Sequence, residues 1–261
     1  MLVHVVADYG PAGDLAFAEV TQRLVAALPT AMVVCVPVGP FDTLAAGFVI
    51  AQLALNEGPK EHIVFHNVAP RRDQTDARDA NEGERFTLAE TQGGTIVVGP
   101  NSGHSLAWLK AQADAFYLEM PAAGSQFRSR DFLPAVVGEL AAGVRTSVGE
   151  PVRDDAIADV PAGVVAYVDG YGNLKTTHHE PPAANGQRVL VRVGHAAATA
   201  IVSDGSFSVP EGDLAFAPGS SGWPLRDGGR REFFEVFLRG GSAAARLGHP
   251  ATGTPVAVTP I

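Results

Sequence analysis

The sequence predicts an α/β N-terminal domain over residues 1–155, a mostly parallel sheet with flanking helices, joined to a C-terminal small β-barrel over residues 156–261. Three observations carry this. Apolar runs of strand length alternate with helical patterns through the first 150 residues, which implies a parallel sheet with helices on its faces. After that, short β runs follow one another at Gly, Pro and Asn turns, with no long helix. Between them, Glu150 to Pro161 carries two prolines and three aspartates and reads as a linker.

The elements follow in order. Leu2–Ala7 is a strand ending at Asp8-Tyr9-Gly10-Pro11, a turn. Asp14 is placed to cap a helix in which Leu15, Ala18, Val20, Leu24 and Val25 recur at helical spacing. Ala31–Val36 is a second strand. Asp42 caps a helix whose apolar stretch is Leu44 to Leu55. Glu61–His66 and Gly94–Val98 are further strands. The charged stretch from Arg71 to Gln92 reads as a solvated loop; the functional alternative is a lid over a site beside Arg71 and Arg72. Phe132 to Leu140 is an apolar helical run. In the second part the strands are Gly163–Val168, Arg188–Val193, Thr199–Val202, Leu214–Ala217 and Phe233–Leu238.

Composition narrows the function. The chain has 261 residues, 46% apolar and 18% charged, a globular balance. Its 28 acids outnumber 19 bases, giving a net charge of −9. That argues against a nucleic-acid partner and against a polybasic membrane contact. Cys35 is the single cysteine, which leaves no intrachain disulfide and no cysteine metal cluster. The eight histidines show no metal spacing, so no metal is expected. The start of the chain has no basic region of a secretory signal, and no uninterrupted apolar stretch reaches the ~18 residues of a membrane span. A soluble, cytoplasmic protein is expected.

Four segments are candidate sites. Asp8-Tyr9-Gly10-x-x-x-Asp14 puts a carboxylate at the C-terminal end of the first strand, where α/β sheets bind ligands. An ionised Asp accepts several hydrogen bonds and suits a ribose diol; on spacing alone the commoner role is a turn or helix cap. Gly99-Pro100-Asn101-Ser102-Gly103 lets backbone approach a ligand, or is only a turn. In Ser125-Gln126-Phe127-Arg128-Ser129-Arg130-Asp131, two arginines, hydroxyls and an aromatic converge. They suit an anion or a nucleophile; the alternative is a surface Arg130–Asp131 pair at a helix start. Asp169 and Asn173 flank a Gly-Tyr-Gly turn, where Asn is suited to an adenine edge, or to a hairpin.

Taken in order, these segments resemble the S-adenosyl-L-methionine hydroxide adenosyltransferase family, in the superfamily of bacterial fluorinase and chlorinase. Val6-Ala7-Asp8-Tyr9-Gly10 is similar to the family's Thr-Asp-Phe-Gly, and Pro40-Phe41-Asp42-Thr43-Leu44-Ala45-Ala46-Gly47-Phe48 to Pro-x-Asp-Val-x-x-Ala-Ala-Phe. Gly99 to Gly103 resembles Gly-Pro-Asp-Asn-Gly. Phe127 to Asp131, with Pro134, resembles Phe-His-Gly-Arg-Asp-x-x-x-Pro. Asp169 to Asn173 resembles Asp-x-Phe-Gly-Asn. Phe234-Glu235-Val236 and Gly241-Ser242-Ala243-Ala244 resemble Leu-Glu-Ile-Ala and Gly-Ser-Ala-Ala. The matches run from Val5 to about Val258.

The resemblance implies an α/β domain followed by a β-barrel, and a homotrimer binding S-adenosylmethionine, as substrate and not cofactor, at the subunit interface. Asp8 would hold the ribose hydroxyls. Asp14 and Asp169 would face the methionine ammonium or polar tail, and Asn173 would read adenine. Asn101 and Phe127 stand in the matching motifs, and Ser220, Ser221 and Arg246 would line the rest. The family reaction is in-line attack on ribose C5′ with methionine leaving, the nucleophile held ~3–3.5 Å away. Hydroxide-transferring members use an Asp, an Arg and a His around the water. Here Asn67 stands at the Asp, Arg128 at the His, and Arg71 or Arg72 at the Arg. Ser129 replaces a glycine, as in fluorinase. His66 is the candidate substitute base. Three readings stay open: hydrolysis of S-adenosylmethionine to adenosine and methionine, binding of S-adenosylmethionine or adenosine without turnover, and transfer to a halide or another anion.

Overall fold

Strand β1 (Leu2–Ala7) is buried along most of its length, with Val3, Val5, Val6 and Ala7 out of solvent. Such a run needs partners on both edges and cover on both faces. It has parallel partners on each side: β2 (Met32–Pro37) and β3 (His62–Asn67). The crossovers are helices started by aspartates. Asp14 Oδ1 accepts from the Ala16 N–H at 3.4 Å at the head of α1 (Leu15–Ala27), and Asp42 Oδ1 accepts from the Ala45 N–H at 2.9 Å at the head of α2 (Thr43–Ala54). In the computed structural model, residues 1–71, 75–78, 82–121 and 124–261 are described.

The first sheet continues through β5 (Ile96–Pro100), parallel to β3, and then changes sense. Strand β4 (Phe86–Thr91) is antiparallel to β5, β6 (Ala113–Leu118) to β4, and β7 (Val148–Pro151) to β6. The seven-stranded order is β2-β1-β3-β5-β4-β6-β7, so the sheet is mixed and not mostly parallel as expected from the sequence. The three antiparallel strands lie outside the predicted set. Strand β4 reads Phe-Thr-Leu-Ala-Glu-Thr, without alternation, because it sits inside the sheet and its polar groups are satisfied there: Thr87 Oγ1 donates to the Gly99 carbonyl at 3.0 Å.

On one face, Val3, Val5, Phe65 and Leu88 pack with Phe17 and Leu24 of α1 and with Leu133 and Val137 of α4 (Leu133–Ala141). Helix α2 lies against β1, β3 and β5. A short helix, α3 (Arg128–Asp131), leads into α4.

The chain divides after Asp159 into two compact units. The second carries a seven-stranded sheet ordered β14 (Val256–Pro260), β10 (Arg188–Val193), β11 (Ala196–Val202), β12 (Leu214–Pro224), β13 (Arg230–Leu238), β9 (Leu174–Thr176) and β8 (Val165–Val168). Every pairing is antiparallel except β11 with β12. The sheet curls: Val164, ahead of β8, bridges Pro255, ahead of β14. A one-turn helix, α5 (Ala243–Arg246), is capped by Ser242 Oγ. The whole is a sheet-rich α/β fold with two curled sheets, the second a half-barrel where a small barrel was expected. Among the described residues no helix is long and apolar enough to cross a membrane. None of their His, Cys, Asp and Glu side chains form a group of three or more fit to hold a metal.

Candidate functional site

The C-terminal ends of β1, β2 and β3 open into a cleft of about 670 Å³ in residues 1–159. Asp8 follows β1, Pro40 and Phe41 follow β2, and Asn67 ends β3; all line it. Asp8 is half-buried, and its Oδ2 accepts the Phe41 N–H at 2.8 Å. Phe41 takes a left-handed backbone (φ 58°) and is 59% exposed. A non-glycine residue in that region is uncommon; here the Asp8 carboxylate holds the amide that the turn presents. A carboxylate offers about four lone-pair sites, so Asp8 keeps capacity for a ligand.

Tyr9 forms the inner wall. Its ring meets Phe17 and Phe127 edge-on at 5.1 and 5.3 Å, and its hydroxyl shares a hydrogen bond of 3.1 Å with Ser129 Oγ. Burial pushes the phenol well above its ordinary value, so it acts as a neutral donor or acceptor. Ser129 is buried and engaged there.

Arg128 lies half-buried across the cleft. Its Nη2 donates to the Glu84 carbonyl at 2.8 Å, and its guanidinium sits 5.0 Å from the Phe86 ring centroid. Gly83 makes room: a Cβ there would fall 2.2 Å from Arg128 Nη2. Burial lowers the Arg128 pKa, opposed by Glu84 and Glu82; the group stays charged. Glu84 is buried and lines the cleft, and its Oε1 has no hydrogen-bond partner among the described residues. Asp76, Arg78 and Glu82 join it. This part of the charged stretch, read from sequence as a solvated loop, is therefore cleft wall. Arg71 also lines the cleft, with φ 58°, whereas Arg72 lies outside the described residues.

Other candidates are spent elsewhere. His66 is wholly buried beside Gly99, where a Cβ would lie 2.4 Å from the imidazole Cδ2. It is not a cleft residue: on β3 it points to the sheet face opposite Phe65 and Asn67. Both ring nitrogens lack partners among the described residues, and burial drops its pKa to about 3. Asp14 is an exposed helix cap. Asn101 Nδ2 donates to the Ala156 carbonyl at 2.8 Å, away from the cleft lining. Phe127 does line it. Arg130 turns from it, gripping Asp131 through Nε (2.7 Å) and Nη2 (3.1 Å) and reaching Glu19 at 3.2 Å. Those bonds, with one from Ser125, hold the Asp131 carboxyl down at about 2.

In residues 160–261, Asp169 and Asn173 do come together, on each other. Asp169 Oδ1 accepts the N–H groups of Tyr171 and Asn173 at 3.0 Å, and Oδ2 accepts from Asn173 Nδ2 at 3.0 Å. Gly172, at φ 81°, fits under Ser242, whose Oγ would lie 2.0 Å from a Cβ there. The Gly172 carbonyl accepts the Ala244 N–H at 2.8 Å, which seats α5 on this loop and places the exposed Arg246 at its end. Ser221 is buried and Ser220 exposed, at the bulge of β12. The resemblance gives no role to Glu84 or Glu82, which only their neighbourhood to Arg71 in sequence signals, and none to Tyr9, although Tyr9 stands within the matched Asp8 motif.

No family model matches the chain, and no curated protein matches it. Solved structures do. An uncharacterized conserved protein from Thermotoga maritima superposes with a TM-score of 0.75 at 20% identity, over 98% of this chain and 99% of that one. A conserved hypothetical protein from Thermus thermophilus superposes with a TM-score of 0.67 at 26% identity, over 98% of both. Both share the fold along nearly their whole length.

Proposed function

We propose that the cleft binds S-adenosylmethionine or adenosine and that the chain is a divergent relative of the hydroxide adenosyltransferases, splitting S-adenosylmethionine to adenosine and methionine. One observation carries this: a half-buried carboxylate, Asp8, stands in a cleft at the C-terminal end of the first parallel strand, steadied by one backbone N–H. That is the position and chemistry a ribose diol requires. Phe41, Phe86 and Phe127 supply apolar walls, and the acidic groups favour a ligand bearing a sulfonium and an ammonium. In this reading the fold is an α/β domain with a small barrel, and a homotrimer in the cytoplasm completes the site at subunit interfaces through Asn173, Ser220, Ser221 and Arg246, with Asp169 holding the Asn173 loop rather than the ligand. Asn101 and Asp14 do not line the cleft and are left out of its ligand set.

Binding without turnover is the second reading, favoured by the neutral amide of Asn67 and by His66 lying outside the cleft. Transfer to a halide or another anion rests on Ser129, whose hydroxyl already bonds Tyr9, and on the arginines, of which Arg128 already donates to the Glu84 carbonyl. Incubation with S-adenosylmethionine, with and without chloride or fluoride, separates the three when chromatography of products accompanies calorimetric binding. Adenosine supports hydrolysis, binding without product supports the second reading, and a halogenated nucleoside supports the third. Absence of binding overturns all of them.

A further inference from the structure

We propose that Glu84 is the proton acceptor for the attacking water, taking the place that the neutral Asn67 cannot fill; this rests on the hydrolytic reading above. Glu84 is 8% exposed, lines the cleft, and its Oε1 has no hydrogen-bond partner among the described residues. Buried polar atoms are nearly always partnered, and a lone one at a ligand site is an acceptor waiting for a donor from the ligand or its water. The neighbouring cation does not consume it by hydrogen bond. Arg128 directs Nη2 to the Glu84 backbone carbonyl at 2.8 Å, an approach open only because residue 83 is glycine. The Oε1 acceptor is thus left unclaimed in the wall of the cleft, with the Arg128 guanidinium nearby to stabilise the developing hydroxide.

The step balances. A water oxygen forms the bond to C5′, the C5′–S bond breaks, and its electron pair passes to sulfur, which leaves as the neutral thioether of methionine. The water proton goes to the Glu84 carboxylate and then to solvent. His66 cannot serve, since it faces the other side of the sheet and is wholly buried.

The test is Glu84→Gln in the full-length protein, read by adenosine release across pH and by calorimetry with S-adenosylmethionine. General-base catalysis contributes about 10²–10⁴-fold, so the turnover rate falls by that factor while affinity stays within about threefold. The pH profile of the rate changes shape relative to wild type. If Glu84→Gln lowers the unfolding midpoint, Glu84→Asp carries the test: turnover persists at a reduced rate with the wild-type pH profile. An unchanged rate overturns the proposal. So does a loss of affinity with turnover of the bound complex intact, which would put Glu84 against the sulfonium or ammonium. A wild-type protein that binds but releases no adenosine overturns it too, yet leaves the binding reading standing. Wild-type protein that binds neither S-adenosylmethionine nor adenosine removes both.

Discussion

In residues 160–261 the buried charges answer one another. Lys175 and Glu235, with side chains 10% and 1% exposed, pair at 2.8 Å, and Asp169 stands 3.6 Å from the same ammonium while closing its own loop. In residues 1–159 three buried side-chain atoms have no partner among the described residues: both nitrogens of His66 and Oε1 of Glu84. The contrast separates scaffold from site. A closed polar network leaves a ligand nothing to bind, whereas Glu84 and Asp8, both in the cleft wall, keep acceptor capacity. It also shows why matching a motif is not enough. Asp8 and Asp169 both follow a strand in an Asp-x-x-type turn, and only Asp8 opens into the described cleft.

The sharpest way to break the contrast is to open the closed network. Lys175→Met leaves Glu235 buried and unpaired beside Gly219, where even a Cβ would fall 1.8 Å from its Oε1. Breaking a buried pair from one side costs about 3–5 kcal/mol, and denaturant unfolding should register that loss. A change under about 1 kcal/mol would mean that water reaches Glu235 and that the network is not closed.

The next effect tests the open side through pH. The imidazole of His66 falls from its ordinary 6.5 to about 3 because burial disfavours the charged form. Below pH 6.5 the unfolded chain takes up a proton that the folded chain refuses. Stability from this group is therefore full above 6.5, declines as pH falls, and is exhausted near 3. At about 1.4 kcal/mol per pH unit, the loss amounts to a few kcal/mol. His4 and His62 are lowered too, mainly by burial, and act in the same direction. His66→Phe should flatten the decline of unfolding free energy between pH 6.5 and 4; an unchanged slope would show that the ring is hydrated.

A smaller effect is expected at the Asp169 turn. Asp169→Ala removes three hydrogen bonds from a half-buried loop. The expected loss is about 2 kcal/mol, with the same unfolding measurement as the check. A neutral substitution would mean that the loop holds itself without the carboxylate, and would return Asp169 to the set of ligand groups.

These contrasts bear on how much the sequence could reveal. Helix starts at Asp14 and Asp42 and the parallel strands were legible, because caps and apolar runs are local signals. Strands β4, β6 and β7 were not, since their polar residues are satisfied by neighbours across the sheet, as Thr87 is by Gly99. Leu174–Thr176 is too short to show a period, and Val256–Pro260 alternates only weakly. At the cleft, Asp8, Arg128 and Ser129 carried motif signals. Glu84 did not, because a carboxylate within a charged run looks solvated until the chain folds it inward. His66 misled for the related reason that strand alternation turns adjacent residues to opposite faces.

The smallest effect on stability should accompany the clearest effect on binding. Asp8→Ala removes one charge-assisted bond from the Phe41 amide at an exposed turn. That costs about 0.5–1 kcal/mol, because water can replace the acceptor. A charged acceptor lost from a ribose diol costs more, on the order of 1.5–3 kcal/mol, and at about 1.4 kcal/mol per tenfold this is roughly a ten- to hundredfold weaker complex. Calorimetry with adenosine measures the second quantity and denaturant unfolding the first. Asp8→Asn separates the two roles, since its amide oxygen can still take the Phe41 N–H while its charge is gone. Equal binding by all three proteins would put the ribose elsewhere in the cleft. Reduced stability without reduced binding would make Asp8 scaffold, as Asp169 is, and dissolve the distinction between the two turns.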